Sequence, residues 1–229
     1  MIKRTLMLFA FLALVPSAAF AVITVHTTDF IPDGTRTNFN GFEAIAPLAG
    51  DRYTSGSYTE DDVTVENASA GGLNHDIWTA CIGPGFCFNP SHDGARSWYP
   101  DGGDFGYTRI TRSGGIDFVD VGFILGSGFG TTPLNVYFEL AENGVVVKSG
   151  ELAGFTSTPG YLGFSGGGFD EIRVRNGGAS PLTLGDDTRN ALAIDSIELA
   201  GTVVPEPSSW ALLAGGLAML GLARKRLRA

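Results

Sequence analysis

Leu134, Val136, Phe138 and Leu140 share one parity of their run, the period-two pattern of a strand with one buried face. Asn143-Gly144 follows, the dipeptide that fits a type I′ turn, and Val145-Val146-Val147 returns as a partner strand. Ile172 and Val174 alternate with Glu171, Arg173 and Arg175, whereas the stretch from Gly115 to Leu125 is apolar enough for a central strand. Further strands are predicted over Phe39–Ile45, Val63–Ala68, Tyr107–Thr111, Tyr161–Phe164 and Ala191–Leu199. About eight to nine strands with no helical pattern between them predict an all-β domain, and a β-sandwich is the natural way to bury their apolar faces.

Two apolar runs at the ends break this pattern. Residues 1–21 place Lys3 and Arg4 ahead of an apolar core from Leu6 to Val15 and a small-x-small site at Ala19-Phe20-Ala21. That order reads as a secretory signal helix removed by signal peptidase, with the mature chain starting at Val22. The second run, Trp210 to Ala223, covers about 21–24 Å as a helix, short of the roughly 30 Å hydrocarbon core. Its flanks favour a transmembrane helix. Trp210 sits where an interfacial aromatic belongs, and Arg224, Lys225, Arg226 and Arg228 hold a C-terminus on the cytoplasmic side. Pro205 and Pro207 stop the helix from extending upstream. The chain therefore divides into a signal segment (1–21), a single sandwich body (22–202) and a C-terminal segment (203–229).

Val204-Pro205-Glu206-Pro207, an apolar helix and a terminal basic cluster, in that order, resemble a PEP-CTERM sorting signal, a tag also catalogued as an ice-binding-protein C-terminal domain. The resemblance implies recognition by an exosortase, a membrane peptidase of Gram-negative bacteria. It assigns recognition to Pro205, Glu206 and Pro207 and the membrane stop to Arg224, Lys225 and Arg226. It also implies inner-membrane anchoring in transit, with a final location at the cell surface or in an exopolysaccharide matrix.

Composition narrows the body's chemistry. Residues 22–205 carry nine basic and 23 acidic side chains, a net charge of −14, which would repel phosphates and argues against nucleic-acid binding. Cys81 and Cys87 flank a Gly-Pro-Gly loop and, in an oxidising compartment, are expected to form a disulfide that stiffens a surface excursion. His26, His75 and His92 fall in loop-like contexts without zinc spacing, and Gly166-Gly167-Gly168 reads as a turn between strands. Glu60-Asp61-Asp62 and Asp101-Gly102-Gly103-Asp104 read as solvated loops, the latter with a calcium role as an alternative. No nucleophile, phosphate-loop or dinucleotide motif is present, so the body is expected to be non-enzymatic.

An opening GFE strand, the GFSGGGFDEIRVRN pair and a closing AIDSIEL strand resemble, in outline, carbohydrate-binding-module jelly rolls. Asp195 shares parity with Ile197 and Leu199, so an unbroken strand would aim its carboxylate at the core, where it must find a cation. The resemblance suggests a structural calcium held by Glu43 and Asp195; a bulge turning Asp195 away or an arginine partner are the alternatives. Trp78, Trp98 and Tyr99, with Tyr107 nearby, lie in or beside a glycine-rich stretch, where exposed rings would stack on sugars or, alternatively, cap the core. The expected role is an exported surface or matrix protein that associates with exopolysaccharide, the alternative a secreted sugar-binding module or hydrolase.

Overall fold

The computed structural model describes residues 22–44, 52–54, 57–68, 76–79, 94, 96–99, 106–127, 134–155, 160–177, 182 and 192–201. In chain order the strands are β1 (Thr24–His26), β2 (Arg36–Asn40), β3 (Arg52–Thr54), β4 (Ser57–Glu60), β5 (Val63–Ala68), β6 (Asp76–Thr79) and β7 (Arg96–Tyr99). They continue with β8 (Tyr107–Arg112), β9 (Phe118–Ser127), β10 (Leu134–Glu142), β11 (Val145–Phe155), β12 (Gly160–Phe169), β13 (Glu171–Asn176) and β14 (Leu192–Ala200). One short 3-10 turn, Asp33–Thr35, precedes β2.

The strands form two antiparallel sheets. The first runs β1-β12-β9-β14-β7-β6-β3, with β2 joining β14 beside β7; the second runs β11-β10-β13-β8-β5-β4. Their inner faces meet in one apolar core. Phe118, Val121, Phe123, Leu125, Leu162, Phe164 and Phe169 face Val63, Val65, Ile110, Val136, Phe138, Leu140, Ile172 and Val174. Phe138 and Phe164 touch across the layers with ring centroids 5.1 Å apart. This is the β-sandwich that the alternation predicts.

β14 is the keystone of the first sheet. All nine of its residues are buried, because β9 flanks one edge while β7 and then β2 flank the other. β2, from the start of the body, pairs with β14 at its end, with Ile197 opposite Asn40 and Leu199 opposite Asn38. β14 also carries a bulge. Asp195 faces Ile124 and Glu198 faces Gly122, so three steps on β14 match two on β9, and Ser196 takes a left-handed φ of 52°.

Several local readings are corrected. The strand predicted over Phe39–Ile45 ends at Asn40, after which buried Phe42 adopts φ 61°. His26 lies in β1, not in a loop, and Gly166-Gly167-Gly168 form a bulge inside β12, between the pairs Ser165–Asp120 and Phe169–Phe118. Glu60 belongs to β4, whereas Asp61 and Asp62 form a tight β4–β5 turn, both with positive φ and Asp61 exposed. Asp61 accepts the Phe39 N–H at 2.8 Å, and Asp62 pairs with Arg112 at 2.8 Å. The turn thereby ties β2 of one sheet to the other.

Ile194→Ala, in the middle of β14, is expected to cost about 2–4 kcal/mol by leaving a cavity in the core. Val145→Ala, on an exposed turn flank, is expected to stay within about 0.5 kcal/mol. Urea unfolding of the two variants checks both values.

Candidate functional site

The sequence-predicted site residues fall into three groups. Pro205, Glu206, Pro207, Arg224, Lys225 and Arg226, the expected transmembrane and signal helices, and Cys81 and Cys87 lie outside the described residues. Among the described residues no helix is long and apolar enough to cross a membrane.

The aromatic group is corrected. Trp98 is 0% exposed and belongs to the core, its indole N–H donating to Thr108 Oγ1 at 3.3 Å. A ring sealed between two sheets offers no face to a sugar. Tyr107 is likewise buried, packed with Tyr137 and Leu182 in a small cluster, with the Arg173 guanidinium 5.5 Å from its ring centre. Tyr99 is half-buried at the end of β7. Trp78 has its backbone in β6, and its side chain lies outside the described residues.

The two carboxylates suggested for calcium are each engaged with backbone. Glu43 is exposed, and its Oε1 accepts the Arg96 N–H at 2.7 Å. Asp195 is fully buried, and its Oδ1 accepts the Ser196 N–H at 2.6 Å. The bulge at Ser196 breaks the parity argument: Asp195 follows core-facing Ile194, and alternation puts it on the opposite face. Among the described residues no three His, Cys, Asp or Glu side chains gather to hold a metal ion.

The best-built polar cluster is one that sequence reading missed. Glu198, 3% exposed, projects from β14 onto the outer face of the first sheet. Its Oε1 accepts the Tyr161 hydroxyl at 2.9 Å and its Oε2 the Arg36 Nε–H at 2.6 Å. Arg36 also pairs with Asp33 at 2.9 Å. Gly122 lies beneath the Tyr161 ring; a Cβ there would fall 1.8 Å from the phenolic oxygen, so only glycine lets the ring lie flat on β9. Alongside, the His26 ring stacks on Phe30 at 3.8 Å, and its Nε2 hydrogen-bonds Ser165 Oγ at 2.8 Å.

A Ser–His contact does nucleophilic chemistry when a third group orients the imidazole. Among the described residues nothing hydrogen-bonds the other His26 nitrogen. The contact instead fastens residues 27–35 across the sheet, as Glu198 does at the far end of the same segment. Pattern reading could not find this cluster, because Arg36, Tyr161 and Glu198 come together only through the β2–β14, β9–β14 and β9–β12 pairings.

Burial raises the Glu198 carboxyl above the ordinary carboxylate range, and this outweighs the lowering by its Tyr161 and Arg36 donors. Burial also raises Asp117, with help from Asp170, and Glu142, with help from Asp117 and Asp170. The folded chain thus keeps protons that the unfolded chain has released. Their stabilising contribution is full below the unfolded carboxylate value, about pH 4, and is lost as pH rises through the folded values. Glu198→Gln is therefore expected to flatten the fall in unfolding free energy above about pH 4, measured by urea titration across pH. Tyr161→Phe, which takes a donor from buried Glu198, is expected to cost about 1–3 kcal/mol at pH 7 in the same assay.

The described residues thus assemble a structural scaffold, and the clearest functional signal lies beyond β14. Residues 203–227 match the family model described as a PEP-CTERM protein-sorting motif. No curated protein matches the chain. The motif opens two residues after Gly201, where the described body ends, and it spans the Pro-Glu-Pro, apolar and basic blocks read from the sequence. The chain accordingly carries a PEP-CTERM sorting motif, which indicates an exported protein sorted by an exosortase and membrane-anchored in transit.

Proposed function

We propose that this is a non-enzymatic protein of the cell surface or extracellular matrix, whose sandwich is the cargo and whose C-terminal motif is the address. The observation that carries this reading is the PEP-CTERM match at residues 203–227, just after the last described strand of the sandwich. The polar side chains of the body support it. Glu198, Asp61, Asp62 and His26 are all occupied in holding strands together, with no converging set free for catalysis among them.

We further propose that Pro205, Glu206 and Pro207 engage the exosortase, that Arg224, Lys225 and Arg226 stay on the cytoplasmic side, and that the released body associates with exopolysaccharide. Its acidity, with 24 Asp and Glu against 15 Lys and Arg over the whole chain, suits neutral or cation-bridged glycans better than strongly anionic ones.

Replacing Pro205, Glu206 and Pro207 together by alanine is expected to leave the full-length chain in the membrane fraction of an exosortase-bearing host, with the body's melting temperature unchanged. The native chain should behave the same way in a host lacking the exosortase. Immunoblotting of membrane and released fractions reads both. Normal release of the triple variant would refute the assignment. Co-sedimentation of the released body with the host's exopolysaccharide tests the matrix association, and turnover of a polysaccharide panel would overturn the non-enzymatic reading.

A further inference from the structure

Asparagine followed by glycine is open to loss of the side-chain amide, because glycine has no Cβ to shield the backbone nitrogen that attacks. The chain has three such pairs, Asn40-Gly41, Asn143-Gly144 and Asn176-Gly177. Their sequences are alike; their surroundings are not. Asn40 is fully buried at the end of β2. Its Nδ2 donates to the Val63 carbonyl at 3.1 Å and its Oδ1 accepts the Phe42 N–H at 3.1 Å, so both ends of the amide are held away from water. Gly41 is buried too, with the Phe39 ring where a Cβ would project. Asn176 is half-buried at the end of β13, and the nitrogen that would attack it, Gly177 N, donates to the Asn135 carbonyl at 2.6 Å.

Asn143-Gly144 differs on each count. Both residues are exposed on the β10–β11 turn, and the space around Gly144 is open. Among the described residues no hydrogen bond engages the Gly144 N–H. Asn143 makes two exposed hydrogen bonds that water can replace: its N–H donates to Asp170 Oδ1 at 3.2 Å, and its Nδ2 to Glu142 Oε1 at 2.8 Å.

We propose that Asn143 is a site of spontaneous deamidation, and that the acid it becomes unfastens the β10–β11 turn. The Gly144 nitrogen gives its proton to water or hydroxide and bonds Asn143 Cγ. The Cγ–Nδ2 bond breaks, ammonia leaves, and a succinimide ring closes. Water then opens the ring at either carbonyl, giving aspartate or an isoaspartate whose backbone runs through the side chain. One water enters and one ammonia departs, so the reaction is independent of the sorting reading above.

Either product puts a carboxylate where an amide donor stood. Glu142 loses the donor on its Oε1, while its Oε2 is already buried without a hydrogen-bond partner. Burial, with Asp117 and Asp170 nearby, already holds the Glu142 carboxyl above its ordinary range, and a further negative charge sharpens the repulsion. Arg112 does not relieve it, since its guanidinium is given to Asp62 and to the Asp117 carbonyl. Isoaspartate also lengthens the turn, in which Asn143 and Gly144 hold the paired positive φ values, 50° and 79°, that set the register of β10 against β11. The change runs one way, so it accumulates with the age of the chain.

The test ages the full-length chain in mild detergent, in mildly alkaline and mildly acid buffer, and follows deamidation by peptide mapping. Trypsin separates the three pairs into residues 37–52, 113–148 and 176–189. Conversion at Asn143 is expected to run several-fold faster than at Asn176 or Asn40, and faster in alkali, with fragment ions placing it at Asn143 and an isoaspartyl methyltransferase labelling the same peptide. In denaturant the three rates should converge, because only the fold distinguishes them. Equal rates in the folded chain, or a lead for Asn176 or Asn40, would overturn the site. Asn143→Asp, the product itself, is expected to melt about 2–4 °C below the native chain in neutral buffer and to close most of that gap in acid, where the carboxyls are protonated. An unchanged melting temperature in neutral buffer would overturn the unfastening.

Discussion

The sandwich depends on one strand having both edges and both faces covered. β14 contributes Ile194, Ile197 and Leu199 to the core and Glu198 to the outer-face cluster, and it offers hydrogen bonds to β9, β7 and β2. Removing it would leave β9 with a bare edge, free β2 from the sheet and strip one side of the core. The bulge at Ser196 lets a single strand do this. It hands the edge from β7 to β2 and lets Ile194 and Ile197, three residues apart, both face inward. Glu198 then needs partners in a place that water does not reach, and Tyr161 and Arg36 supply them.

That arrangement places the sorting motif at a structurally sensitive position. The address starts where the most deeply embedded strand stops, with Gly201 as the exit. An exosortase substrate must give up its tag without losing its fold. Here the motif lies wholly outside β14, so the two requirements fall on separate stretches of chain.

What could be read in advance followed from periodicity. The β10–β11 hairpin with its Asn143-Gly144 turn, the alternation of β13 and the apolar run of β9 each carry a local signal, and all three stand as predicted, with β9 starting at Phe118. The pairing of β2 with β14 was not legible, because it joins stretches 162 residues apart that share no local signal. Nor were the short strands β1, β3, β4, β6 and β7. Ser57–Glu60 is a polar edge without an apolar stripe, and Arg96–Tyr99 is too short to show a period. Trp98 sat in a glycine-rich stretch that suggested a ligand rim, yet a four-residue strand carries it into the core. Asp195 was misplaced because parity counting assumes an unbroken strand, and a bulge leaves no mark in a pattern of hydrophobicity. The sorting signal, by contrast, is a linear code, and it was legible in full.

The β2–β14 pairing has a temporal consequence. The Thr37 hydroxyl bonds the Leu199 carbonyl across 162 residues of chain, so the first sheet cannot close until synthesis and translocation have all but finished. Folds dominated by such distant contacts form slowly, and until the closing strand arrives they expose unpaired edges. A nascent chain of this kind would sit half-assembled outside the cytoplasm, with neighbours crowding in. A hydrophobic segment still lodged in the lipid behind it would keep each copy at its own point of exit, and so limit misassembly between copies during the interval when they are most adhesive.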